Sequence, residues 1–289
     1  MKIPICIPTY KRSHLIISRT LNLLERLEYN QNDIFVVVGC YEDQEFDYWD
    51  YYNAITEIYP DVNILVGDNC DAKASQLNFI RRELLEPNQL AMILDDDIED
   101  VLVKEEEKPL RPIKKDEFEK FLCIAPNLMR EFNIGLCGVN SSGNGFYMSD
   151  KVKLCKSCIC GGFQLFFNEP DINLTINQGT DAYESCYYLD KYGFNLKFDF
   201  ITIKTKLFSV GGLYNYRLNK QKTHEDYLYV AKTYPQYLDY YTWGDGEEIG
   251  VDNNGKVVKI PKSRQNKLTI ELRWIRTVSQ VVRIKEDIF

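Results

Sequence analysis

LAMILDDDIED, Leu90 to Asp100, decides how this 289-residue chain is read. Five apolar residues form a strand-sized run of the kind buried on both faces, and three aspartates follow at once. Side chains alternate where a strand ends, so Asp95 and Asp97 are expected on one side. Two carboxylates on one side make a hard-oxygen site for Mg²⁺ or Mn²⁺. A bare acidic triplet is more often a solvated loop or a helix cap. Three adjacent acids repel one another, however, and their place at the end of a fourth buried strand favours a bound cation.

Upstream of that block the sequence repeats a strand-then-helix pattern. Ile3 to Pro8, Ile34 to Gly39 and Val62 to Val66 are short apolar runs like Leu90 to Leu94. Between them, a segment starting at Ser13 and another from Ala74 to Leu85 carry leucines and isoleucines at helical spacing. Such alternation predicts an α/β fold with a mostly parallel sheet flanked by helices, whose ligands gather beyond the carboxyl ends of the strands. The triplet lies at such an end.

Downstream the pattern loosens. KEEEKPLRPIKK (Lys104 to Lys115) reads as an exposed loop, and a helix is expected from about Asp116 to Phe132. Strands are expected at Leu136 to Asn140, Phe163 to Asn168 and Leu196 to Phe200, with a helix from Ala182 to Tyr192 ended by Gly193. Asn253, Asn254 and Gly255 suggest a hairpin. The chain divides on this reading into a first half (1–100), a second half of the same domain (101–245) and a basic C-terminal extension (246–289).

Composition sets the bounds. A hydrophobic content of 45% is ample for a buried core, which argues against disorder. No apolar run approaches the length of a membrane span, and the N-terminus lacks the apolar core of a signal peptide. The nine cysteines sit mostly in apolar segments, so a reducing cytoplasm is the expected location. CKSCIC (Cys155 to Cys160) contains one CxxC, but a zinc site would need a fourth ligand that the neighbourhood does not supply. The net charge is −8, yet Asn253 to Lys285 holds nine bases and one acid, Glu271. Such an end can grip a polyanion locally, or be a solvated tail.

IPTYKR (Ile7 to Arg12), AKASQLN (Ala72 to Asn78) and LDDDIED (Leu94 to Asp100) together resemble the nucleotide-sugar half of GT-A glycosyltransferases. The resemblance implies Thr9, Tyr10 and Arg12 near the nucleotide base, and Lys73 and Asn78 near ribose or phosphate. It also puts Asp95 and Asp96 on the donor, and Asp95 with Asp97 on the metal. GTDAYESCYYLDKYGFNLKFD (Gly179 to Asp199) resembles the acidic helix of that family, which casts Asp181 as the base. A carboxylate at a helix N-terminus is held ionised and can take the acceptor hydroxyl's proton, as an inverting displacement requires. His224, in KTHED, falls where many such enzymes place a third metal ligand, whereas His14 reads as a surface or capping residue.

More narrowly, the late GG…R…HEDY segment is similar to that of phage TET-associated and base-J-type enzymes, which glycosylate hydroxymethylated pyrimidines in DNA. That likeness implies a DNA acceptor such as 5-hydroxymethylcytosine and, for a phage protein, the host cytoplasm. Lys204, Lys206, Arg217, Lys220, Lys222, Lys262 and Arg264 are then the expected nucleic-acid contacts. A lipid-linked or surface saccharide as acceptor, and a non-catalytic binding module, are the alternatives.

Overall fold

The computed structural model describes residues 2–39, 48–67, 72–105, 109–205, 219–244, 247–262, 264, 270–275 and 278–289. Among these residues its centre is an 11-stranded mixed sheet, nine of whose strands lie in the order Ser279–Ile284, Lys151–Cys155, Asn195–Thr205, Leu136–Asn140, Phe163–Phe167, Leu90–Leu94, Ile5–Thr9, Ile34–Val38 and Asn63–Val66. Four strands make the parallel block expected from the alternation: β1 (Ile5–Thr9), β2 (Ile34–Val38), β3 (Asn63–Val66) and β4 (Leu90–Leu94). β1 and β4 are buried throughout, as continuous apolar runs demand. Their carboxyl ends share one edge of the sheet.

Helices cover the block. The first, α1 (13–26), runs from Ser13–Ile16 through a π turn at Ile17–Leu21 into Asn22–Arg26. The second, α2, is Tyr48–Thr56. The third, α3 (73–84), joins Lys73–Phe79 to a second π turn, Ile80–Leu84. Leu77, Ile80 and Leu85 pack with Ile93, Phe166 and Tyr188 on one side of the sheet. On the other side, Leu23, Leu24 and Ile55 join Phe118, Phe121 and Phe198.

Beyond β4 the sheet becomes mixed. β5 (Ile98–Val103) begins directly after the triplet, where no strand was expected, and pairs antiparallel with the far half of β10 (Asn195–Thr205). β6 (Arg111–Pro112) adds to it, and α4 (Lys115–Glu131) follows, its first turn closed by Glu117 Oε2 accepting from the Lys114 N–H at 2.9 Å. β7 (Leu136–Asn140) runs parallel to β4, and β9 (Phe163–Phe167) lies antiparallel between them. The chain therefore re-enters the edge where β4 ends just as β9 begins. α5 (Thr180–Tyr192) then leads into β10.

The stretch 246–289, expected as a basic extension, divides between two sheets. β12 (Ile249–Asp252) and β13 (Val257–Lys259) form the hairpin that Asn253–Gly255 predicted. With β11 (Leu238–Trp243) and β14 (Ile270–Trp274) they make a four-stranded sheet. α6 (Lys220–Thr233) lies against it, as Val230 packs with Leu238, Leu272 and Trp274. β15 (Ser279–Ile284) instead returns to the large sheet and pairs with β8 (Lys151–Cys155). Among the described residues no helix is long and apolar enough to cross a membrane.

Candidate active site

The acidic turn between β4 and β5 is fixed from three directions. Thr20, in the π turn of α1, donates its hydroxyl to the Asp95 carbonyl at 2.7 Å and accepts from the Ile98 N–H at 3.0 Å. On the other side, the Asp95 N–H donates to the Gly162 carbonyl at 3.0 Å. Thr9, at the end of β1, donates to Asp96 Oδ2 at 2.7 Å. The backbone of the triplet is therefore pinned while its side chains diverge.

Asp96 turns inward. It is 5% exposed and bonded to Arg12 Nη1 at 3.1 Å as well as to Thr9. Burial outweighs those two partners and pushes its carboxyl up to about 6. Arg12 Nη1 also reaches Asp97 Oδ2 at 3.6 Å, while the Arg12 N–H donates to the Tyr51 hydroxyl at 2.5 Å. Burial, with the like charge of Asp95, raises Asp97 too. Lys73, in the first turn of α3, places Nζ 2.7 Å from Asp95 Oδ1. Its burial alone would lower the ammonium, but Asp95, Asp181 and Glu184 together raise it. Tyr10, half-buried, has its ring under the Lys11 ammonium.

Asp181 approaches the same place from α5. Its Oδ1 accepts from the Ala182 N–H at 2.9 Å in the first turn of the helix. A Cβ added at Gly161 would sit 3.1 Å from Asp181 Cβ, and one added at Gly162 would sit 3.0 Å from Asp95 Oδ2. The Gly161-Gly162 pair is thus a thin wall between two carboxylates that are far apart in sequence, and side chains there would crowd both. Their position just before β9 is what gives the two glycines their meaning.

Other expected site residues are placed elsewhere. Asn78 does not turn to the edge: its Nδ2 donates to the Leu174 carbonyl at 2.8 Å and its Oδ1 accepts from the Leu174 N–H at 2.9 Å. With both ends of the amide spent on backbone, it clamps a loop. Its neighbour Gln76, which the sequence reading passed over, is the buried residue at the site, donating to the carbonyls of Thr9 and Val37 at 2.9 and 2.8 Å. His224 stands in α6, and among the described residues no three His, Cys, Asp or Glu side chains come together as a ligand cluster. The same holds for Cys155, Cys158 and Cys160, whose thiols burial raises.

Of the seven expected nucleic-acid contacts, Lys206 and Arg217 lie outside the described residues. Lys204 is paired with Glu99 at 2.7 Å and Arg264 with Glu271. Lys220 and Lys222 occupy the first turn of α6, and Lys262 is exposed just past β13.

No family model and no curated protein matches the sequence. Among solved structures, the chain is similar to a mannosyltransferase from Pyrobaculum calidifontis in complex with GDP-Man and Mn²⁺. That likeness has a TM-score of 0.50 and 13% identity, and covers 81% of this chain and 64% of that one. It is also similar to glucosyl-3-phosphoglycerate synthase from Mycobacterium tuberculosis (TM-score 0.46, 9% identity, 90% and 87% covered). A third is TarS of S. aureus (TM-score 0.45, 14% identity, 70% and 60% covered). The chain spans less than two thirds of the mannosyltransferase and of TarS. The likeness is one of fold: the chain has a GT-A-type α/β architecture.

Proposed function

We propose that this chain is a metal-assisted glycosyltransferase that moves a sugar from a nucleoside-diphosphate sugar to a hydroxyl acceptor. The observation that carries the reading is the meeting of Asp95, Lys73 and Asp181 at one sheet edge across the Gly161-Gly162 wall. The similar mannosyltransferase was solved with GDP-Man and Mn²⁺, a nucleoside-diphosphate sugar and a divalent cation of the classes that the proposal requires.

The carboxylates fit a hard cation. Asp95 and Asp97 keep 33% and 15% of their side-chain surface exposed, and burial, then the like charge of Asp95, raises Asp97. Two protein carboxylates suffice for Mn²⁺ or Mg²⁺, which take further oxygens from phosphate and water. Held there, the ion supplies charge neutralisation for the departing diphosphate.

The chain's own residues do the rest. Lys73 offers an ammonium to a phosphate oxygen, and Arg12, Thr9 and Tyr10 border the space for the base. Asp181 accepts the proton of the acceptor hydroxyl as its oxygen bonds to the anomeric carbon. The carbon–oxygen bond to the diphosphate breaks with its electron pair leaving on the diphosphate. Attack from the face opposite the leaving group inverts the configuration.

A thermal-shift screen of nucleoside diphosphates and their sugars, with and without Mn²⁺, tests the donor side, since a ligand of the native state raises its melting temperature. No Mn²⁺-dependent shift with any of them would defeat the reading.

For the acceptor, the narrower reading is a 5-hydroxymethylpyrimidine in DNA, with Lys220, Lys222 and Lys262 as phosphate contacts. It predicts transfer of labelled sugar to hydroxymethylated but not to plain duplex DNA. A second reading, a lipid-linked or surface saccharide, is favoured by Ile249, Val251 and Val257, exposed on the hairpin beside Lys256 and Lys259. Co-sedimentation with anionic vesicles separates the two.

A further inference from the structure

Deep behind the site lies an ion pair that the chemistry above does not use. Arg81 is wholly buried, and its Nη2 donates to Glu184 Oε1 at 2.5 Å. Nη1 donates to the Tyr188 hydroxyl at 3.2 Å, and the guanidinium lies 4.4 Å from the centre of the Phe166 ring. Nε has no hydrogen-bond partner among the described residues. Taking two charges out of water is costly, and an apolar pair of like volume often serves stability as well or better. An incompletely satisfied pair at full burial therefore calls for a reason other than stability.

Its position supplies one. Arg81 lies in the π turn of α3, eight residues after Lys73 and hence about two turns along the same helix. Glu184 lies three residues, about one turn, after Asp181 on α5. Gln76 ties α3 to the ends of β1 and β2, so α3 is held to the sheet independently of α5. The pair is then a cross-brace from the helix that carries Lys73 to the helix that carries Asp181. An ion pair with a short, directed hydrogen bond specifies relative position more narrowly than apolar contact does.

We infer that Arg81 and Glu184 are positioning residues that set Asp181 against Asp95 and Lys73 by fixing α5 to α3. The inference rests on the proposed transferase reading for its catalytic consequence, and on geometry alone for the coupling. The test compares wild type with R81M/E184L, which keeps the volume but removes both charges, and with the conservative Glu184→Gln, which keeps an acceptor oxygen. Three readings are taken: melting temperature, Mn²⁺-dependent nucleoside diphosphate binding and release from the donor, and amide exchange at Tyr183–Ser185.

The expected result for R81M/E184L is a folded protein that binds nucleoside diphosphate within about twofold of wild type, with kcat lower by about tenfold to a hundredfold. Exchange at the start of α5 should be faster, and Glu184→Gln should recover most of kcat. A folded double variant with wild-type turnover and wild-type exchange would overturn the inference, because the pair would then be core filling only. Should wild type itself release no nucleoside diphosphate, the transferase reading falls. Exchange at Tyr183–Ser185 then decides the coupling: unchanged protection overturns it, faster exchange upholds it.

Discussion

Two regions of the molecule are rich in cationic side chains, and they use them in opposite ways. At the carboxyl edge of the parallel block, Arg12 and Lys73 are drawn in toward the acidic turn, where they meet carboxylates that partly lack water. Toward the C-terminus the bases are more numerous but spread over two sheets, and some are met by single acids at the surface: Arg264 by Glu271 and Arg283 by Glu131. Exposed pairs of that kind contribute about 0–1 kcal/mol each and weaken with salt. The lesson is that a few charges converging under desolvation make chemistry, whereas many charges on strand surfaces make at most a diffuse field.

The sharpest way to break this contrast is to remove a carboxylate from the inner region. Asp97→Ala should lower Mn²⁺-dependent nucleoside diphosphate release by about a thousandfold or more, while the circular dichroism spectrum stays that of wild type. Full turnover in that variant would show that the acidic turn is structural. Asp181→Asn should cost about 10²- to 10⁴-fold in kcat with donor binding retained, read by steady-state kinetics beside calorimetry. Lys73→Ala comes next, with an expected loss of about tenfold to a hundredfold in nucleoside diphosphate affinity, the scale of a charge-assisted hydrogen bond.

Asp96 sharpens the comparison through pH. Its folded carboxyl is raised to about 6, so between pH of roughly 4 and 6 the native state binds more protons than the unfolded chain. Stability contributed at this position must then fall as pH rises through that window, by on the order of 1–3 kcal/mol. In metal-free buffer, Asp96→Asn should gain melting temperature relative to wild type from pH 4 to pH 7. A constant difference across that range would contradict the desolvation argument. The smallest effect belongs to the outer region: Arg264→Gln should change unfolding free energy by no more than about 1 kcal/mol, measured by urea titration.

Strand β4 and the acids after it were legible because a both-faces-buried run and a polar stop are local features, and β4 spans the expected Leu90–Leu94. The helix expected from Asp116 to Phe132 is found at Lys115–Glu131 for the same reason. β5 was missed because IEDVLV carries two acids at its start and reads as a continuation of the turn; its antiparallel partner, the far half of β10, lies about a hundred residues on. Gln76 meets the strand ends and Asn78 a loop because the pattern marks residue types on a helix but not which of two amides, two positions apart, turns toward the sheet. The Gly161-Gly162 wall has no local signature at all.

By itself, the sequence determined the alternation of strands and helices, the acid cluster that ends β4 and the helix start that carries Asp181. All three follow from periodicity and capping over a few neighbouring residues. It took the closed fold to set Gly161 against Asp181 and Gly162 against Asp95, to bring Arg81 to Glu184 at a separation of 103 residues, and to return β15 from the basic end to the large sheet. Those choices depend on strand order and on which distant polar groups can satisfy one another once water is excluded. Such requirements arise only when the whole core closes.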